Sequence, residues 1–142
     1  MCKLIRNLKN ILTVSWIIIT VGSLTSCSTE IDIDDYVDNS KPIELIVKSK
    51  NDSVKFINRP KILLTADSEK FKKLIDWGTK NVDGWESAIA SYVMADVYLI
   101  QDDFHFSYYK SGFVILNFKD KEGNPRQVKK QVDQGDLDFL FN

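Results

Sequence analysis

The sequence predicts an α+β fold: an antiparallel β-meander of about five to seven strands packed against one main amphipathic helix. Two observations carry this expectation. Phe71, Leu74, Ile75 and Gly78 recur at helical spacing, with lysines and acids on the other side, which is the pattern of a half-buried helix. From Val97 onward the apolar period shortens to two, in brief runs separated by turn formers, as in strands that show one face to a core.

Taken in order, Ile43-Glu44-Leu45-Ile46-Val47-Lys48 is a β-rich run closed by the turn formers Ser49-Lys50-Asn51-Asp52. Val54-Lys55-Phe56-Ile57 is a second strand candidate, and Lys61-Ile62-Leu63-Leu64 a third after Arg59-Pro60. Thr65 or Asp67 is placed to cap a helix starting at Ser68, and Asn81 and Gly84 supply stop signals near residue 82. Val97-Tyr98-Leu99-Ile100 and Phe104-His105-Phe106-Ser107-Tyr108 flank the acidic turn Gln101-Asp102-Asp103 and read as a hairpin. After the turn Lys110-Ser111-Gly112, Phe113-Val114-Ile115-Leu116-Asn117-Phe118 is the clearest strand. The loop Asp120-Lys121-Glu122-Gly123-Asn124-Pro125 leads to a last strand over Gln127–Val132, and Asp136–Phe141 reads as a short helical turn over the end of the sheet.

The N-terminal part is written differently. Lys3, Arg6 and Lys9 precede an apolar run, Ile11 to Leu24, that ends in Gly22-Ser23-Leu24-Thr25-Ser26-Cys27. A permanent membrane span needs about 20 apolar residues, and this run is shorter and broken by Thr13, Ser15 and Thr20. The three zones are those of a secretory signal. Leu24-Thr25-Ser26-Cys27 resembles the lipobox of bacterial lipoprotein precursors, and the resemblance covers residues 1–27. It implies cleavage before Cys27, attachment of palmitate-type acyl chains to that residue, and a lipid-anchored protein of the cell envelope. Serine at the position after the cysteine, followed by an acidic stretch, implies the outer membrane of a Gram-negative bacterium, on its periplasmic or surface face.

The resulting organisation is a signal peptide over 1–26, an acidic tether over 27–42 and a single α+β domain over 43–142. The tether, Ser28 to Ser40 followed by Lys41-Pro42, also reads as a solvated spacer that repels itself and stays extended. Cys2 leaves with the signal and Cys27 is consumed by lipid, so the mature chain holds neither a free thiol nor a disulfide. Losing Lys3, Arg6 and Lys9 from the 19 basic residues leaves 16 against 20 acidic, a net charge of −4. This balance argues against a nucleic-acid partner.

Five constellations are candidates for chemistry. Trp77-x₃-Asn81-x₂-Gly84-Trp85 is the most distinctive, and it loosely resembles small bacterial envelope proteins in which a helix ends in this pattern and hairpins follow; no activity comes with the resemblance. Asn81 and Gly84 are both expected at positive φ. Trp77 and Trp85 then serve either as lids on the core or as a stacking platform for a sugar or peptide. His105, the only histidine, with Asp102 and Asp103 offers an acid–base group without a nucleophile beside it. Asp32, Asp34 and Tyr36, and likewise Asp120, Glu122 and Asn124, alternate as calcium ligands do, yet neither set has the glycine and distal glutamate of a calcium loop. Arg126, Lys129 and Lys130 are suited to guarding a sheet edge. No metal or cofactor is expected.

These readings favour a non-catalytic binding module, anchored through Cys27, of the immunity or accessory type, with a protein or glycan partner. A small hydrolase using Asp102 or Asp103 and a purely structural envelope lipoprotein are the alternatives.

Overall fold

A computed structural model describes residues 28–48 and 59–141. Cys27, the segment before it and the strand candidate Val54–Ile57 lie outside the described residues. Seven antiparallel strands form one sheet: β1 (Ile43–Val47), β2 (Lys61–Leu64), β3 (Glu86–Ser87), β4 (Val97–Gln101), β5 (Phe104–Tyr109), β6 (Phe113–Lys119) and β7 (Pro125–Gln131), in the order β2-β1-β4-β5-β6-β7-β3. One helix, α1 (Glu69–Lys80), joins β2 to β3. The fold is α+β, with a meander-like sheet.

Strands β4 to β7 follow one another as hairpins. The β4–β5 turn holds Asp102 at φ 49°, a left-handed conformation that aspartate tolerates better than most residues. Gly112 at φ 96° turns β5 into β6. In the β6–β7 loop, Asp120 Oδ1 accepts from the backbone N–H of Glu122 and Asn124 at 3.0 and 2.8 Å. That carboxylate organises a turn, not a calcium loop.

Ser68, at the position where the helix was expected to begin, is instead its cap: its hydroxyl accepts from Phe71 N at 3.4 Å. Asp67 is engaged by Thr65 Oγ1. Phe71, Leu74, Trp77 and Gly78 are buried. They join Leu45, Leu99, Phe106, Leu116 and Val128 from the sheet in one core, closed at the far end by Leu137 and Leu140 of the C-terminal 3₁₀ turn.

Residues 28–42 overturn the tether expectation. Thr29 N donates to Trp85 O at 2.7 Å in an antiparallel bridge, and Ile31 N to Val82 O at 2.8 Å. Ile31, Ile33 and Val37 are buried, and Ile33 to Tyr36 form a 3₁₀ turn capped by Asp32. The reason is apolar. Three aliphatic side chains among the acids gain more from the core than the acids gain from extension, because Glu30, Asp34, Asp35 and Asp38 remain exposed to water.

Strand β3 was not expected. Among the described strands it pairs with β7 alone, through Glu86↔Lys129 and Ser87↔Val128, so the chain must travel from one sheet edge to the other between β2 and β3. Helix α1 makes that crossing on the core face. Residues 88–96 bring the chain back over the opposite face to β4. In this strap Ala88 N donates to Gln127 O at 2.9 Å, Tyr92 lies 6.2 and 6.0 Å from the rings of Tyr109 and Phe113, and Ala95 N donates to the Tyr98 hydroxyl at 2.8 Å.

The basic residues of β7 also differ from expectation. β7 is not the sheet edge, because β3 covers part of it. Lys130 Nζ donates to the Asp83 carbonyl, and Lys129 Nζ stands 4.8 Å over the Phe113 ring. At the other side β2 is the edge among the described residues, with Ile62 and Leu63 half exposed.

Candidate functional site

The two tryptophans come together as the motif suggested, but inside the core. Their rings meet edge to face with centroids 6.5 Å apart, and Trp77 packs the same way on Phe106 at 5.8 Å. Trp85 has no exposed surface and Trp77 is 7 % exposed, so a stacking platform is excluded for Trp85 and the pair acts as core lids. Gly84 takes positive φ (76°), whereas Asn81 sits at φ −120°. Asn81 ends the helix by hydrogen bonds instead. Its amide Nδ2 donates to Trp77 O at 2.9 Å, its backbone N–H to Gly78 O at 3.0 Å, and its carbonyl accepts from Trp85 Nε1 at 3.0 Å.

Surface chemistry gathers around the Asp102–Asp103 turn. Three adjoining clefts surround it. One of about 260 Å³ lies between this turn and the 3₁₀ turn, lined by Asp35, Tyr36, Asp38, Lys41 and Lys119 among others. A second, of about 310 Å³, shares Asp103 and Lys119 with it and continues to His105, Asn117, Arg126 and Gln127. The third, of about 340 Å³, runs from Lys41 and Asp102 past Ile100 to Glu44 and Leu63. All three are open to solvent.

The local fold explains why charge collects there. The β4–β5 turn, the start of β7 and the end of β6 lie at one end of the sheet, and residues 38–42 are fastened to the same end by Gln101. That buried amide accepts from Asp38 N at 2.7 Å and donates to the carbonyls of Asp38 and Lys41 at 3.1 and 2.9 Å. Lys41 is thereby held beside Asp102, at 2.6 Å, and 3.4 Å from Asp38. Lys119 pairs with Asp103 at 2.9 Å across the β5–β6 ladder. Hydrogen bonding to Asp102 raises the Lys41 pKa. The Ser40 hydroxyl and N–H, with Lys41 behind them, hold the Asp38 carboxyl below its ordinary range. Desolvation, reinforced by Asp35 and Asp120, raises the phenol of Tyr36, whose ring lies 4.3 Å from Phe118.

The acid–base trio of the sequence is therefore close in space but differently connected. His105 is exposed and its Nε2 lies 3.2 Å from the Asp102 carbonyl, not from a carboxylate. Each aspartate is matched with a lysine. Such a rim offers fixed positive and negative groups in alternation, suited to reading the charges of another molecule. Gln101, Lys41 and Lys119 complete the site and were not singled out by sequence. A glutamine closing an apolar strand was the available signal for the first. Among the described residues, no group of three or more His, Cys, Asp or Glu is placed to hold a metal ion.

No protein family, curated protein or solved structure matches the chain.

Proposed function

We propose that this protein is a lipid-anchored, non-catalytic recognition module of the cell envelope, of the immunity or accessory type, which presents the charged rim around Asp102 and Asp103 to a protein partner. One observation carries the reading: Lys41–Asp102 and Lys119–Asp103 are held in register beside three connected open clefts. Fixed charges of alternating sign favour one partner and repel others, which is how electrostatic complementarity produces specificity. Burial of Trp77 and Trp85 removes the argument for a glycan platform and leaves the rim as the better recognition surface. The anchor is proposed from the lipobox at Cys27; among the described residues no helix is long and apolar enough to cross a membrane.

Two measurements test this. Cys27→Ala is expected to leave uncut precursor that takes up no labelled fatty acid, and unchanged labelling would refute the anchor. Affinity capture from envelopes with the full chain, followed by mass spectrometry, is expected to retain a reproducible partner. Lys41→Gln with Lys119→Gln is expected to release it while the domain still unfolds cooperatively, because exposed ion pairs contribute at most about 1 kcal/mol each. A partner retained equally by the double variant refutes the rim.

A further inference from the structure

The strap carries the two most exposed large apolar side chains of the described molecule: Ile89 is 98 % and Val93 81 % exposed. Its backbone is nonetheless fixed, at Ala88 by Gln127, at Val93 by the Tyr109 hydroxyl donating to its carbonyl at 2.9 Å, and at Ala95 by the Tyr98 hydroxyl. A rigid segment that holds aliphatic side chains out in water has the geometry of a contact surface.

What covers it follows from where the chain enters. Thr29 is bonded to Trp85, immediately before β3 and the strap. Trp85 offers its carbonyl to Thr29, while Ala88 turns its N–H the opposite way, toward β7. Thr29 therefore lies on the outer side of the β3 edge. The bridge is antiparallel, so Ser28, the described residue before Thr29, lies toward the Ser87 end of that edge. Only Ser28 separates Thr29 from Cys27, and two residues span at most about 7 Å. Acyl chains on Cys27 would thus hold this corner of the domain at the lipid surface, with no spacer to let it swing away.

We infer that the strap is a membrane-docking surface: Ile89 and Val93 seat in the bilayer next to the acyl anchor and fix the domain's orientation. This rests on acylation at Cys27. Acidic Glu86 stands opposite basic Lys129 on this face, so the contact is apolar in kind and requires no anionic lipid. Val93 sits over the Tyr109 end of β5, whereas the Asp102–Asp103 rim is at the Phe104 end. Ile89, however, follows Ala88, which is bonded to Gln127 of the second cleft, so docking leaves the Lys41–Asp102 and Tyr36 side of the rim free and sets the Gln127 end of that cleft beside the lipid surface.

The test uses the acylated full-length product, whose lack of a free thiol makes an introduced cysteine unique. Ile89→Cys, Val93→Cys and, on the exposed side of α1, Lys72→Cys are each labelled with an environment-sensitive fluorophore and reconstituted into phosphatidylcholine vesicles. The labels at 89 and 93 are expected to shift to the blue and to be quenched by spin labels placed high on the acyl chains, at the depth of about 5–10 Å that interfacial segments reach. The label at 72 is expected to report water. Labels at 89 and 93 that also report water, or three labels that shift alike, overturn the docking while acylation stands. A product whose Cys27 carries no acyl mass and takes up fluorophore overturns the anchor, and the docking with it.

Discussion

Gly78→Ala gives the sharpest test of how the N-terminal segment is held. On a helix face open to water this change stabilises by about 1 kcal/mol, because alanine is the better helix former. Here a Cβ at position 78 would stand 2.8 Å from Ile33 Cβ and 3.3 Å from its Cγ1 and Cδ1. The nearest atom is anchored directly to the backbone, so the 3₁₀ turn itself has to move. Overpacking of this kind costs about 1–3 kcal/mol, and the sum with the propensity gain is a net loss of about 1 kcal/mol. Ile33 is fully buried, and Ile33→Ala should cost about 2–4 kcal/mol. In the double variant two of the three contacts disappear and the turn can shift, so the losses should fall short of additive by about 0.5–1 kcal/mol. Urea unfolding followed by circular dichroism measures all three. A stabilising Gly78→Ala, or an Ile33→Ala within about 0.5 kcal/mol of the parent as for an ordinary surface change, would mean that residues 31–37 do not pack on the helix.

Two further outcomes are expected. Gln101→Leu removes the amide that satisfies Asp38 N and the carbonyls of Asp38 and Lys41, and should cost about 1–3 kcal/mol; hydrogen exchange should rise at residues 38–42 and stay unchanged in β6, and uniform change across the domain would refute the local reading. Hydrogen bonds from Asn124 N lead the causes that lower the Asp120 pKa, and the Ser40 hydroxyl leads at Asp38. Because both folded-state values lie below the unfolded ones, their stabilisation is fully present above the ordinary aspartate range near pH 4 and is lost as pH falls through the depressed values. Melting temperature should therefore be flat from about pH 5 to 7 in this respect and fall below pH 4, with a shallower fall in Asp120→Ala. An equally steep acid limb in that variant counts against the assignment.

Much of the sheet was legible because its signal is local. Phe104, Phe106 and Tyr108 alternate with His105 and Ser107, and the core takes every second residue. Asp102-Asp103 and Gly112 mark turns by conformational preference alone. Strand β3 was illegible because two residues, Glu86 and Ser87, have no period, and they are extended only because β7 lies beside them. The acids of residues 30–38 concealed Ile31, Ile33 and Val37, whose burial depends on a helix forty residues later. At the site, sequence found Asp102, Asp103 and His105 but not the lysines that pair with them, since those contacts join positions 41 with 102 and 103 with 119. For Trp77 and Trp85 the sequence left core and surface open, and only tertiary packing could decide between them.

The Thr29–Trp85 clasp has a consequence for the order of assembly. Among the described residues β3 has no ladder partner except β7, which is made some forty residues later, so the strand that receives Thr29 takes shape only after the downstream hairpins have closed. Ser28 and Thr29, at the start of the described chain, are then among the last residues to be fastened down. If Cys27 is processed as proposed, that step falls before the Thr29 clasp closes, and completion of the sheet sets its time limit without any separate signal.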